Sequence, residues 1–136
     1  DRGSKPINGV MEFFKWAKSK NISMAVCTNK QERLAVDLLK KLKIYDYFEY
    51  IAGSDTFSFN KPDPRHLTNV VEIIQGDLKK TIMVGDSEVD GMSAENAKIP
   101  FVLVKDGYTE KSTKEIKHDE LIEDFINFDK VIEKYL

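Results

Sequence analysis

The sequence predicts an α/β domain: a doubly wound, Rossmann-like parallel sheet with helices on both faces. Three observations predict it. Segments with apolar residues at helical spacing alternate along the chain with short strand-like segments. The strand-like segments are apolar throughout rather than alternately polar, which suits strands covered on both faces. The chain of 136 residues, 41% hydrophobic and 32% charged, can bury one sizeable core, so a single domain over residues 1–136 is expected.

Each element has its own justification. From Pro6 to about Ser19, Val10, Phe13, Phe14 and Ala17 fall at helical spacing, and Pro6 suits an early helical position. Ser23 to Cys27 reads as a short strand. Residues 31–43 carry Leu34, Leu38, Leu39 and Leu42 on one helical face. Tyr47 to Ala52 reads as a strand ending at Gly53. Asp63-Pro64 supplies an N-cap and a first-turn proline for a helix carrying Leu67, Val70, Val71 and Ile74, stopped at Gly76. Thr81 to Val84 is the next strand. Met92, Ala94 and Ala97 lie on a short helix ended near Pro100, and Phe101 to Val104 is another strand. Leu121 to Phe125 fits either a strand or a helical turn. Asn127 to Leu136 reads as a closing helix.

Composition removes several function classes. The net charge is −2, and the many lysines are scattered among acids, so no basic nucleic-acid surface is expected. No apolar run approaches membrane-spanning length. Cys27 is the single cysteine, which excludes an internal disulfide and makes a reducing cytoplasm the expected setting. The first residue is Asp1 rather than Met, so the chain is read as a fragment, a processed product or a trimmed piece.

In an open parallel sheet, ligands bind beyond the carboxyl ends of the strands, so chemistry is sought there. After the first strand stand Thr28 and Asn29. Two readings are open: a cap for the next helix, or a hydroxyl beside a helix N-terminus that suits a phosphate. After the second strand comes Lys61, fixed between Asn60 and Pro62 just before a helix, a restraint that can aim its ammonium at an anion. After the third strand, Gly85 allows a tight turn and Asp86 sits at the strand tip. Asp90 lies one helical turn on, and Ser87 with Asp90 loosely resembles a capping box. Hard carboxylate oxygens at such a place suit Mg²⁺, and Asp90 is placed either to support that metal or to hold the lysine. Donors, one positive charge and a metal site together match the needs of a phosphoryl group.

The stretches MAVCTNK (24–30), KPDP (61–64) and VGDSEVDGMSAENAKIP (84–100) resemble three ordered motifs of the haloacid dehalogenase superfamily, closest to its phosphoglycolate-phosphatase-like branch. Gly107-Tyr108-Thr109 is a partial echo of a further family loop. The resemblance implies an enzyme that hydrolyses a small phosphate monoester through an aspartyl-phosphate. Thr28 and the N–H of Asn29 would bind phosphoryl oxygens, Lys61 would stabilise nucleophile and phosphate, and Asp86 with Asp90 would serve Mg²⁺. It also implies a first motif, Asp-x-Asp-x-Thr after an apolar strand, and a helical cap. No Asp-x-Asp occurs in these residues, and Asp1-Arg2-Gly3-Ser4 has no strand before it. The chain therefore reads as a family core missing its first strand, inactive in isolation.

That strand would lie between 23–27 and 81–84. Its place is expected to be filled by an N-terminal segment, by direct closure of the two flanking strands, or by a strand from a second copy. The alternative function is a non-catalytic relative that binds phosphate or a partner. A phosphorelay receiver fits poorly because its acidic pair precedes its Thr and Lys, and a dehalogenase has no use for a metal carboxylate after Gly85. Of the remaining residues, Cys27 reads as a small buried hydrophobe, His66 as an exposed helix residue, His118 as surface, and Trp16 as packing. Phe57 and Phe59 read as packing on the core or as meeting the cap.

Overall fold

The computed structural model describes residues 7–105, 113 and 115–136. Asp1 to Ser4, Pro6 and the Gly107-Tyr108-Thr109 sequence lie outside the described residues. Among the described residues five helices and five strands follow one another, alternating as expected up to β4: α1 (Val10–Ser19), β1 (Ala25–Cys27), α2 (Glu32–Lys41), β2 (Tyr50–Ala52), α3 (Arg65–Ile73), β3 (Met83–Gly85), α4 (Glu88–Ala97), β4 (Phe101–Val104), β5 (Glu120–Ile122) and α5 (Phe128–Glu133). Two 3₁₀ turns, Tyr45–Tyr47 and Leu78–Lys80, lead into β2 and towards β3.

The helix expected from Pro6 starts only at Val10. Gly9 precedes it in a left-handed conformation, φ 84°. A Cβ there would stand 2.6 Å from the Phe125 carbonyl carbon, and Asn8 O accepts the Phe125 N–H at 2.8 Å. The chain is thus pinned to the segment before α5 until Gly9 turns it into the helix. Tyr47, expected in a strand, instead closes a 3₁₀ turn that sets its ring 5.4 Å from Phe14. Glu49 N–H then bonds Met24 O at 2.8 Å and opens the β1–β2 ladder. Leu39 of α2 and Leu42 just after it pack on the Val10, Phe14 and Ile44 cluster, whereas Leu34 is 47% exposed, so the apolar face is narrower than the sequence suggests.

Every strand pair is parallel. β1 pairs β2 from Ala25–Tyr50 to Cys27–Ala52. β3 pairs β4 from Met83–Phe101 to Gly85–Leu103, and β4 pairs β5 from Val102–Glu120 to Val104–Ile122. The ambiguous 121–125 stretch is thereby a strand at its start. These pairings make two sheets, β1–β2 and β3–β4–β5. Direct closure of β1 on β3, one of the three expected fillings, is not what forms. Among the described residues no strand pairs with the second edge of β1 or of β3, and all three residues of each are only half-buried, while β4 is buried throughout.

Helices join the halves instead. On one side α3 contacts β1, β2 and α4, while α4 covers β3 and β4. On the other, Phe13 and Trp16 of α1 and Phe128 and Ile132 of α5 share a cluster with Ile22, Val84 and Val102. Trp16 is packing, as expected: its ring lies 5.8 Å from Phe13. Among the described residues no helix is long and apolar enough to cross a membrane.

Candidate functional site

The site is built where β1, β2 and β3 end. Thr28 N–H continues the ladder to Ala52 O at 2.9 Å, and its hydroxyl oxygen accepts the Lys30 N–H at 3.1 Å. That bond closes a short turn and leaves α2 to start at Glu32 behind Gln31, so neither Thr28 nor Asn29 caps the helix. The capping carboxylate comes from the β2 loop: Asp55 Oδ1 accepts the Glu32 N–H at 2.8 Å. Such a cap, crossing between loops, gives no local signal in sequence.

Asn29 turns its side chain towards the loop before α3. Its amide nitrogen donates to Lys61 O at 3.1 Å and its amide oxygen accepts the Lys61 N–H at 3.2 Å. This two-point clamp ties the β1 tip to the backbone of the lysine. Lys61 joins Pro62 through a cis peptide bond. From there its Nζ reaches Asp90 Oδ1 at 2.5 Å, with the two side chains only 8% and 11% exposed.

Asp90 is held from the other side. Ser87 caps α4 by accepting the Asp90 N–H at 3.2 Å, and Asp90 Oδ2 accepts the Asp86 N–H at 3.2 Å. Half of the expected capping box therefore forms; the acid's other half goes to the strand tip and the lysine. Gly85 permits this: a Cβ there would lie 2.6 Å from Asp90 Cβ and Cγ. Asn96 Nδ2 adds a bond from α4 to Pro62 O at 3.2 Å. Asp86 itself is exposed beside this knot.

The sequence-chosen set is thus brought together. Lys61 and Asp90 touch, Asp90 touches Asp86, and Asn29 touches Lys61, with Thr28 adjacent in the chain. Of the two places open to Asp90, the geometry shows the lysine contact. Among the described residues no group of three or more His, Cys, Asp or Glu gathers as a metal cage.

Several further residues depart from expectation or complete it. His66 is fully buried rather than exposed. Its Nε2 lies 3.1 Å from Gly53 O, and its ring meets Phe57 edge-on at 5.6 Å. The signal was present: His66 shares the buried helical face of Val70, four residues on. Cys27 is half-buried at the β1 tip, and burial pushes its thiol up to about 12, with Lys61 lowering and Asp90 raising it. It is no ready nucleophile. Phe57 and Phe59 stack at 5.5 Å, and the Arg65 guanidinium sits 4.4 Å over Phe59, so both pack on the start of α3. His118 is half-buried, its Nδ1 2.7 Å from Ile116 O.

Residues 1–104 match the family described as haloacid dehalogenase-like hydrolase. The chain belongs to this family. The chain is similar to phosphoglycolate phosphatase of Agrobacterium fabrum, 44% identical over 122 residues, 90% of this chain and 52% of the relative. Phosphoglycolate phosphatase of Caulobacter vibrioides is 36% identical over 127 residues, 93% of this chain and 54% of the relative. The chain therefore spans about half the length of these curated relatives. Among solved structures, a predicted phosphoglycolate phosphatase from Haemophilus somnus superposes with a TM-score of 0.86 at 25% identity, covering 92% of this chain and 56% of that one. A family hydrolase from Geobacter sulfurreducens superposes with a TM-score of 0.77 at 26% identity, covering 92% and 60%. The doubly wound α/β architecture is thus the family's.

Proposed function

We propose that the chain is the C-terminal core of a cytoplasmic, Mg²⁺-dependent phosphatase of a small phosphate monoester, with phosphoglycolate, named for the relatives, as first candidate. The observation that carries this reading is the buried Lys61–Asp90 pair, which draws the tips of three strands onto one spot.

Each residue then has a task that its chemistry allows. The Thr28 oxygen accepts the Lys30 N–H, so its own O–H remains able to donate to a phosphoryl oxygen. The Asn29 side chain acts on Lys61 rather than on the ligand, and its backbone N–H is the part assigned to phosphate. Lys61 has three donors, so it can keep Asp90 and still turn a proton to a phosphoryl oxygen or to an attacking carboxylate. Asp86, exposed at the β3 tip beside Asp90, fits Mg²⁺, which takes one or two carboxylates together with phosphate and water. Bound there, the metal would supply charge neutralisation for the phosphoryl oxygens.

The attacking carboxylate is assigned to a strand between β1 and β3, whose half-buried residues and unmatched edges among the described residues suit such an insertion. A segment of a longer protein carrying Asp-x-Asp is the proposed source, and pairing with a second copy the other route. The test is hydrolysis of p-nitrophenyl phosphate with Mg²⁺. The 136-residue chain should give none. A longer form carrying Asp-x-Asp should turn over, losing about a hundredfold or more on Asp86→Asn. A longer form inert towards phosphate esters would favour a non-catalytic phosphate- or partner-binding role instead.

A further inference from the structure

We propose that His66 is the positioning residue for Lys61, holding the loop that delivers the lysine, and that it does so only as a neutral imidazole. The inference rests on the reading above solely for what Lys61 is for. The loop leaves β2 at Gly53 and arrives at Lys61 eight residues later. His66 grips it at two places. Gly53 O can only accept, so Nε2 carries the proton and donates to it at 3.1 Å. The ring also supports Phe57, which stacks on Phe59, two residues before Lys61. Gly53 is fixed further because its N–H donates to Thr56 Oγ1 at 2.8 Å, and that hydroxyl donates to Glu32 Oε1 at 2.7 Å.

Among the described residues nothing accepts at the second nitrogen. Nδ1 is buried without a hydrogen-bond partner. Protonation would create an N–H with no acceptor and a charge in a site of zero exposure, both costly. The surroundings offer little relief. β1 presents Cys27, whose thiol burial keeps neutral, and the β2 tip presents a backbone carbonyl. The His66 loop itself brings Lys61, which opposes the charge, and Asp63, which favours it but is committed to Arg65 at 2.7 Å. From α4, Asp90 already holds Lys61. Burial, first, and Lys61 keep the His66 pKa below its ordinary 6.5, against the Gly53 bond and Asp63. Because the folded value is the lower one, the unfolded chain binds the proton first. The stability tied to His66 is whole above 6.5 and drains away as pH falls through the folded value.

The test needs no turnover, so it stands apart from the phosphatase reading. Ring and amide signals of the 136-residue chain would be followed by NMR across a pH titration. His66 should show the Nε2–H tautomer at neutral pH and a midpoint clearly below 6.5. The Lys61 amide and the Asn29 side-chain amide should shift with that same midpoint. His66→Gln, which keeps a donor for Gly53 O, should keep both signals in place and abolish their pH dependence. His66→Leu should lose the Lys61 and Asn29 signals. An Nδ1–H tautomer, a midpoint at or above 6.5, or Lys61 and Asn29 signals that stay flat while His66 titrates would overturn the proposal. The wild-type and Gln titrations decide it even where the Leu variant does not fold.

Discussion

Lys61 and Asp90 bring opposite charges out of water, and neither is expendable once the other is there. Desolvating an ion costs several kcal/mol unless a partner and further hydrogen bonds compensate. Asp90 has both, since Lys61 takes one oxygen and the Asp86 N–H the other. Removing Lys61 alone strands a carboxylate that is 11% exposed. Lys61→Met should therefore cost about 3–5 kcal/mol by urea unfolding. Lys61→Met with Asp90→Leu should cost clearly less than the two single changes added together, because no charge is then left unpaired. Additive losses would mean that the pair is not energetically coupled. Asn29, Ser87 and Gly85 are the supports of this contact: one fixes the lysine backbone, one fixes the acid's helix, and one leaves room for the carboxylate.

At the level of elements, the strands differ sharply in how they are held. β4 has a parallel partner on each side and no exposed residue. β1 and β3 each have a partner on one side among the described residues, and are half-buried. Opening free energy follows burial and hydrogen-bonding, so amide exchange should be slowest in β4 and roughly tenfold or more faster in β1. Equal protection in β1, β3 and β4 would show that the edges of β1 and β3 are covered in solution. The same contrast explains which elements are legible in the sequence. Phe101 to Val104 is legible to the residue because an unbroken apolar run bounded by Pro100 and Lys105 has few alternatives. Tyr47 reads as strand because its aromatic ring suits one locally, whereas it closes a 3₁₀ turn with its ring 5.4 Å from that of Phe14, a partner distant in sequence.

For the molecule as a whole, two parallel half-sheets carried by a shared set of helices leave backbone edges unmatched among the described residues, where a visiting strand could pair. The 136-residue chain is expected to self-associate with rising concentration in sedimentation experiments, and to stop doing so in a longer form whose own strand fills the place. A monomer at every concentration would point to edges satisfied within the chain. The sequence by itself determined most of the succession of helices and strands, the placing of Thr28 and Asp86 just beyond strand ends, of Lys61 in the loop before α3 and of Asp90 in the first turn of α4, because these follow from local periodicity and turn chemistry. Only the tertiary structure decided who meets whom. Asn29 clamps a lysine 32 residues away, Asp55 caps a helix 23 residues before it, and His66 turns inward to Gly53. Those partners are set by how separate strands come into register, and no short stretch of chain carries that information.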